Sequence, residues 1–207
     1  NATAEASVAA AVAAANRAVL SRLLPSQQAS IDKSYGAALA AIADGPAKTA
    51  GIAVGEQAAA AVIAWRADDN AAAPERYRPA TTAGVYVPTP IPAVPQWPQR
   101  KPWVMSSCDQ FRPGPPPALA SELWARDYNE IKALGGKDSK SRTARQTEDA
   151  RFWLLTGPPA YYPLVRQLVV AKKMDVLESA RFMALVSAAV ADSYIAVFEA
   201  KYHFDFW

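Results

Sequence analysis

The last residues of the chain bring a lysine together with several aromatic side chains. Lys201 is followed by Tyr202, Phe204, Phe206 and Trp207. An ammonium surrounded by aromatic rings needs an anion or several hydrogen bonds to offset its loss of water. Such an ammonium can hold an oxyanion and stabilise negative charge that develops on it. This segment is therefore the first candidate for chemistry.

Asp205 offers a simpler interpretation of Lys201. The two residues are four apart, which is the spacing of an ordinary helical ion pair. A lysine in the last turn of a helix is also favoured by the helix dipole and is usually solvated. The residue types alone leave both interpretations open.

Two acidic residues form a second candidate. Asp192 and Glu199 are seven apart and share a helix face, where they could hold a metal or act as a catalytic carboxylate pair. The alternative, which we favour, is that each is paired with an arginine inside the fold. The arginines that we considered for this are Arg151, Arg166 and Arg181.

The chain has one histidine and one cysteine. His203 cannot supply the several imidazoles of a typical zinc or non-haem iron site, and we predict a packed or hydrogen-bonded ring. Cys108 cannot form an internal disulfide. No histidine lies near it in sequence, so we predict an inert thiol rather than a nucleophile.

Composition and charge exclude several classes of protein. The net charge is +3 and basic residues are interspersed with acidic ones, so we expect no nucleic-acid partner. The most apolar window, 182–198, contains Ser187, Asp192 and Ser193 and is shorter than the roughly 20 residues that cross a bilayer. It predicts a buried helix and no membrane span.

Because the chain begins at Asn1 without a leader, we expect a removed targeting segment or a start inside a longer protein, and a secreted or periplasmic location.

The elements that must position these residues are helices. Half of the residues are apolar, with 51% hydrophobic, and alanine dominates, which favours helices packed at close approach. Capping boxes at Thr143 with Gln146 and at Asp175 with Glu178 mark two helix starts, and Ser121 can cap another. We predict an all-α bundle of six or seven helices in a single domain over 1–207. The expected helices cover about 4–24, 26–43, 46–67, 121–134, 143–155, 161–172 and 175–202.

A proline-rich segment separates the third and fourth predicted helices. Residues 74–117 contain twelve prolines, which remove backbone donors and forbid both helix and central strand. Disordered linkers are poor in aromatic residues, whereas this segment has Tyr77, Tyr86, Trp97, Trp103 and Phe111. We predict an ordered strap, here residues 74–117, that presses aromatic rings onto the helices.

The terminal segment resembles a known motif. Lys201 with Tyr-His-Phe-Asp-Phe-Trp after it is similar to the start of the K-x6-R-P motif of the vanadium-dependent haloperoxidases and the type 2 phosphatidic acid phosphatases. The resemblance extends upstream, in order and spacing, to the helical half that precedes this motif in bacterial haloperoxidase-like proteins. The segments that carry it are Phe111-Arg112-Pro113 with the prolines 115–117, Asn129-Glu130-Ile131-Lys132 with Gly135-Gly136, Ser141-Arg142-Thr143, and Ala150-Arg151-Phe152-Trp153.

The resemblance implies a helical bundle that holds vanadate, or phosphate in the phosphatases. The cage of this family consists of a lysine, two arginines, a serine and a glycine amide, with one histidine bonded to the metal. Lys201 would be the cage lysine and the catalytic residue of this chain. Phe198 matches a position near the halide pocket that is often tryptophan, and this departure leaves the halide preference open.

The rest of that cage would lie beyond residue 207, with no metal ligand in this chain. We therefore expect the N-terminal portion of a haloperoxidase-like enzyme, inactive alone, with the C-terminal portion as a second chain. The full enzyme would oxidise halide with hydrogen peroxide. The alternatives are an acid phosphatase acting on phosphomonoesters and a non-catalytic helical scaffold or interaction protein, and a homo-oligomer is left open.

Overall fold

The chain is all-helical, as predicted. The computed structural model describes residues 5–89 and 91–206. Ala4 of the first predicted helix, Pro90 of the strap and Trp207 of the terminal segment lie outside the described residues. In the described part the structure has two 3-10 turns, Pro25–Gln27 and Trp97–Gln99, and seven α-helices. These are α1 (Val8–Leu23), α2 (Gln28–Ala40), α3 (Pro46–Trp65), α4 (Glu122–Leu134), α5 (Ala144–Phe152), α6 (Pro158–Ala171) and α7 (Val176–Phe204).

Helix starts follow the capping residues. The Ser121 hydroxyl accepts the Trp124 N–H at 3.1 Å, and Thr143 forms its predicted capping box with Gln146. The second box is also present: Glu178 accepts the Asp175 N–H at 3.0 Å and Asp175 accepts the Glu178 N–H at 2.8 Å. Side-chain acceptors thus satisfy the orphan amides of these first turns.

Four predicted boundaries are wrong by three or four residues. The helix predicted over 4–24 begins at Val8, and the helix predicted over 143–155 ends at Phe152. The helix predicted over 161–172 begins at Pro158, because a proline in the first turn gives up an amide that would have no helical partner. The helix predicted over 26–43 begins as a 3-10 turn at Pro25 and ends at Ala40. The Lys48 ammonium donates to the Ile42 carbonyl at 3.1 Å, so the turn after this helix is held by a bond from α3.

The chain divides into two compact units. The described residues of the first are 5–69 and 167–186, and those of the second are 70–89, 91–166 and 187–206. The helices α6 and α7 each contribute residues to both units. A single domain over 1–207 stays a prediction.

The first unit is built on a close approach of α1 and α3. A Cβ placed on Gly51 would lie 2.3 Å from the Ser7 carbonyl oxygen, and one on Gly55 would lie 2.2 Å from that of Ala11. Ala10, Ala14 and Ala59 are buried in this unit. The small side chains allow the helix backbones to meet, which is the packing that the alanine content predicts.

The second unit places the strap against the C-terminal half of α7. The Trp97 ring lies 5.5 Å from the Tyr194 ring and 6.0 Å from the Phe198 ring, centroid to centroid. Nearer the start of the strap, Val85 forms an isolated β-bridge with Phe206. The residues that bear the candidate chemistry therefore lie where the strap meets α7.

The helix α7 is half-buried over most of its length. Within it only Asp192, Ile195 and Glu199 are buried, so the buried helix predicted over 182–198 is wrong for most of that window. By length and composition α7 could cross a bilayer, with 17% of its apolar window buried. The helix α1 and the segment 25–40, which meet at an angle of 120°, are together also long and apolar enough by this measure.

Candidate active site

The Lys201 ammonium lies among aromatic rings near the end of α7. Its Nζ atom is 4.1 Å from the centroid of the Tyr86 ring. The ring centroids of Tyr202 and Phe198 lie farther away, at 5.4 Å and 5.9 Å. These distances are those of cation–π contacts, in which the negative face of the ring attracts the cation. We call Lys201 with the rings of Tyr86, Phe198 and Tyr202 the lysine seat.

Phe198 is the middle ring of a ladder on α7. The side chains at four-residue spacing, Tyr194, Phe198 and Tyr202, stack with centroid distances of 6.1 Å and 6.2 Å. Residues four apart lie above one another on a helix face, so the sequence dictates this ladder. The structure brings Phe198 close to Lys201. Its predicted role beside a halide pocket stays a prediction.

The Asp205 carboxylate has a different partner from the one that its spacing suggested. It accepts a hydrogen bond from the Tyr77 hydroxyl, 128 residues away in sequence. Burial, and next the hydrogen bond to Asp205, raise the pKa of the Tyr77 hydroxyl above its usual range. Within residues 5–89 and 91–206 no carboxylate forms an ion pair with Lys201. The interpretation of Lys201 and Asp205 as a helical ion pair is therefore wrong.

Backbone hydrogen bonds fix the strap beside the lysine seat. The Tyr86 N–H donates to the Asp205 carbonyl at 2.9 Å, and the Tyr77 hydroxyl shares its one proton between the Asp205 carboxylate and the Tyr86 carbonyl. The Tyr202 hydroxyl donates to the Ala93 carbonyl at 2.7 Å, and burial raises the pKa of this hydroxyl. Both sides of the Tyr86 backbone are thus bonded to groups at the end of α7 or to Tyr77.

The side chain of Asp192 binds backbone amides of the strap. Its carboxylate is buried, with 5% of the residue exposed, and accepts three consecutive amides. Trp103 donates at 2.7 Å, Val104 at 2.7 Å and Met105 at 2.9 Å. Consecutive N–H groups that converge in this way form an anion-binding nest, and here the bound anion is a side chain of the protein itself.

Glu199 is paired with an arginine, as predicted, but with Arg112 and with none of the three predicted candidates. For Asp192 the predicted arginine pairing is wrong, because its carboxylate accepts backbone amides instead. Arg112 Nε lies 3.0 Å from both carboxylate oxygens of Glu199, and Nη2 also donates to Oε1. Arg112 belongs to the strap, whereas Arg151, Arg166 and Arg181 lie outside it. With Asp192 bonded to amides and Glu199 bonded to Arg112, both carboxylates serve to hold the strap on α7.

His203 and Cys108 lie outside the lysine seat. The His203 ring is exposed, lies edge-on to Phe204 with centroids 4.8 Å apart, and has Nδ1 4.0 Å from Glu199 Oε1. The predicted packing of the His203 ring is therefore confirmed only on the side that contacts Phe204. The Cys108 thiol donates to the Arg100 carbonyl at 3.3 Å, and burial raises its pKa. A raised pKa keeps the thiol protonated and weakens it as a nucleophile.

An apolar groove lies next to the lysine seat in the same unit. It has a volume of about 860 Å³, within the range of small-molecule pockets. Tyr86 is common to the groove and the seat, and Phe206 and the stacked pair Trp124 and Tyr128 also line it. The groove is thus open beside a ring that contacts the ammonium.

Sequence reasoning singled out Lys201 but did not predict that the Tyr86 ring lies nearest to it among the rings of the lysine seat. Tyr86 was grouped with the other strap aromatics, and nothing local assigned it to Lys201. The one available signal was the density of aromatic residues among prolines, which predicted contact with the helices without specifying the partner.

The lysine seat fits an oxyanion in one respect. The ammonium is partly buried and has aromatic neighbours but no carboxylate partner among the described residues, so its charge is available to an external anion. Across 5–89 and 91–206, no group of three or more His, Cys, Asp and Glu side chains could hold a metal ion. No family of known proteins, no curated protein and no solved structure matches the chain.

Proposed function

We propose that Lys201 binds one oxygen of a tetrahedral oxyanion, vanadate, in a haloperoxidase-like enzyme. The observation that carries the proposal is the lysine seat, in which an ammonium lies 4.1 Å from a ring centroid while the nearby Asp205 carboxylate is bonded to Tyr77. A structural lysine in a helix end is expected to find water or a carboxylate. The motif resemblance, with Lys201 as the cage lysine, supplies the identity of the anion.

In this proposal the chain contributes one positive donor. The ammonium would form a charge-assisted hydrogen bond to the anion and would stabilise negative charge on its oxygens during reaction. Bound vanadate would supply the oxidation of halide by hydrogen peroxide. One ammonium cannot neutralise such an anion, so the other donors would come from a C-terminal portion of the same protein.

Exposed apolar side chains in the second unit support such a partner portion. Ile131 on α4 is 71% exposed and Leu154 is 82% exposed. Phe152, Trp153 and Leu155 are exposed beside Leu154, and runs of exposed apolar side chains mark surfaces that other polypeptide covers. A chain of 22.1 kDa that migrates alone in gel filtration at its own mass, and stays folded, would contradict this part of the proposal.

The enzymatic proposal is tested by two assays on the complete protein. We expect oxidation of bromide or chloride by hydrogen peroxide to require added vanadate and to be lost in Lys201→Ala. Phosphatase activity without vanadate, with no halide oxidation, would instead indicate the phosphatase alternative, since an ammonium does not distinguish phosphate from vanadate. Absence of both activities in a folded protein would favour a non-catalytic scaffold.

A further inference from the structure

Among the three rings of the lysine seat, the one nearest to the Lys201 ammonium comes from the strap and not from α7. Tyr86 directly follows Val85, the strap residue that forms the β-bridge to Phe206. Its ring centroid is more than an ångström closer to Nζ than that of Tyr202, at 4.1 Å against 5.4 Å. The attraction between a cation and a ring falls with distance, so Tyr86 makes the strongest of these contacts.

The Tyr86 ring is itself held in place. The amide of Tyr86 is bonded to the Asp205 carbonyl at 2.9 Å, and its carbonyl accepts the Tyr77 hydroxyl. Its ring contacts the Tyr77 ring at 6.1 Å and the Tyr202 ring at 6.3 Å. A ring fixed by its backbone and by two neighbouring rings provides a stationary surface for a flexible side chain.

A ring and a carboxylate would have different effects on an ammonium that must bind an oxyanion. A carboxylate would neutralise the charge and occupy the donors, so the oxyanion would have to displace it. A ring face attracts the cation and accepts no strong hydrogen bond from it, which leaves the N–H donors for an external oxygen. A lysine side chain has several rotatable bonds, and restricting them before binding lowers the entropy cost of binding.

We infer that Tyr86 is the positioning residue for Lys201: its ring orients the ammonium for an oxyanion. The inference rests on the proposed function for the identity of the anion, although the ring–ammonium contact can be measured without any anion. Tyr86 acts through Lys201 and is not a catalytic residue. The strap would thus serve the site directly as well as the fold.

The contact itself is tested by NMR of the lysine side chain in the complete protein without ligand. Ring currents of Tyr86 should shift the Cε protons of Lys201 upfield, with the signal assigned by its loss in Lys201→Arg. We expect the shift to persist in Tyr86→Phe and to fall in Tyr86→Leu. Lys201 Cε protons at the random-coil position in the unmodified protein would overturn the inference whatever the protein binds.

The effect on binding is tested with inorganic phosphate as the probe in equilibrium dialysis. The variants start from Tyr86→Phe and carry fluorine atoms on the ring. Fluorine weakens the negative charge on the ring face and hardly changes the shape of the ring, so folding should be preserved. We expect phosphate affinity to fall stepwise with each added fluorine, on the order of tenfold in total. The same series at Phe111, which is 67% exposed, is the matched control and should leave affinity unchanged.

The outcomes separate this inference from the proposed function. If Lys201→Ala weakens phosphate binding but the fluorinated series at position 86 does not, Tyr86 is not a positioning residue and the oxyanion proposal survives. If the ring-current shift is present but Lys201→Ala leaves phosphate binding unchanged, the contact is real and the proposed function is wrong. If the fluorinated series at position 86 weakens binding and the Phe111 series does not, the inference is supported.

Discussion

The carboxylate of Asp205 accepts the hydroxyl of Tyr77, although Lys201 lies only four residues before it on the same chain. This bond ties the start of the strap to the end of α7 and engages the carboxylate that lies at helical ion-pair spacing from the ammonium. The ammonium is left with the rings of the lysine seat. A structural bond between two residues 128 apart in sequence thus determines the charge environment of the candidate site.

Loss of the Tyr77 hydroxyl should destabilise the protein and alter its response to alkali. Tyr77→Phe removes the bonds to Asp205 and to the Tyr86 carbonyl, at a cost of about 1–2 kcal/mol in the free energy of unfolding. The pKa of Tyr77 is raised in the folded state from its ordinary value of 10.0. Above that pH the unfolded chain releases this proton while the folded protein retains it, so stability is lost as pH rises.

The measurement is urea unfolding of both proteins at about pH 8 and about pH 11. The free energy of unfolding should fall less with pH in Tyr77→Phe than in the unmodified protein. Tyr161→Phe, at an exposed tyrosine of the same unit, is the control and should follow the unmodified protein. An equal pH dependence in Tyr77→Phe and the unmodified protein would count against the bond to Asp205.

Removal of the Asp192 carboxylate should release the strap. Asp192→Ala leaves the amides of residues 103–105 without their acceptor, and we expect a loss of about 3 kcal/mol or more in stability. Asp192→Asn retains one acceptor oxygen and should lose less. Hydrogen exchange at the three amides, followed by NMR, should accelerate in both variants.

The control for Asp192 is Asp138→Ala, at an exposed acidic residue of the same unit. It should change stability by less than about 0.5 kcal/mol. Unchanged exchange rates at residues 103–105 in Asp192→Ala would show that these amides do not depend on the carboxylate.

Arg112 and Glu199 should be energetically coupled. Each single change, Arg112→Met or Glu199→Gln, breaks a pair in which the glutamate side chain is 8% exposed and the arginine 31%. The double variant removes both charges, so it should be more stable than the sum of the single losses predicts, by about 1–2 kcal/mol. A double-mutant cycle in urea measures this coupling, and losses that simply add would refute it.

Two glycines should respond in opposite directions to the same substitution. Gly55→Ala places a Cβ 2.2 Å from the Ala11 carbonyl oxygen, so we expect a loss of about 2 kcal/mol or more as α1 and α3 move apart. Gly36→Ala on α2 meets no atom within 4 Å and should raise stability by about 0.5–1 kcal/mol. Urea unfolding of both variants checks the pair, and tolerance of alanine at Gly55 would contradict the close packing.

Local sequence rules predicted the helices because those rules are themselves local. The capping box of Thr143 with Gln146 involves residues three apart, and so does that of Asp175 with Glu178. The Tyr194, Phe198 and Tyr202 ladder also follows from spacing alone. Three aromatic side chains of the strap contact rings of α7, as predicted: Tyr77 and Tyr86 contact Tyr202, and Trp97 contacts Tyr194. Phe111 does not follow the prediction, since it is 67% exposed.

The same local rules failed where long-range contacts compete with them. Spacing offered Asp205 to Lys201, but Tyr77 binds that carboxylate instead. The partners of Asp192 are backbone amides 87 to 89 residues away, and a backbone amide leaves no mark in a sequence. Arg112 was also overlooked as the partner of Glu199, because any arginine in the chain satisfies the same requirement until the strap is placed.

The central claim is that the Lys201 ammonium binds an oxyanion, and affinity for vanadate in the complete protein measures it most directly. We expect Lys201→Ala to weaken vanadate binding by about 10- to 100-fold, because a charge-assisted hydrogen bond is lost. Lys132→Ala, at an exposed lysine in the last turn of α4, should leave it unchanged. Equal vanadate affinity in folded Lys201→Ala and in the unmodified protein would contradict the claim and would make Lys201 a structural helix end.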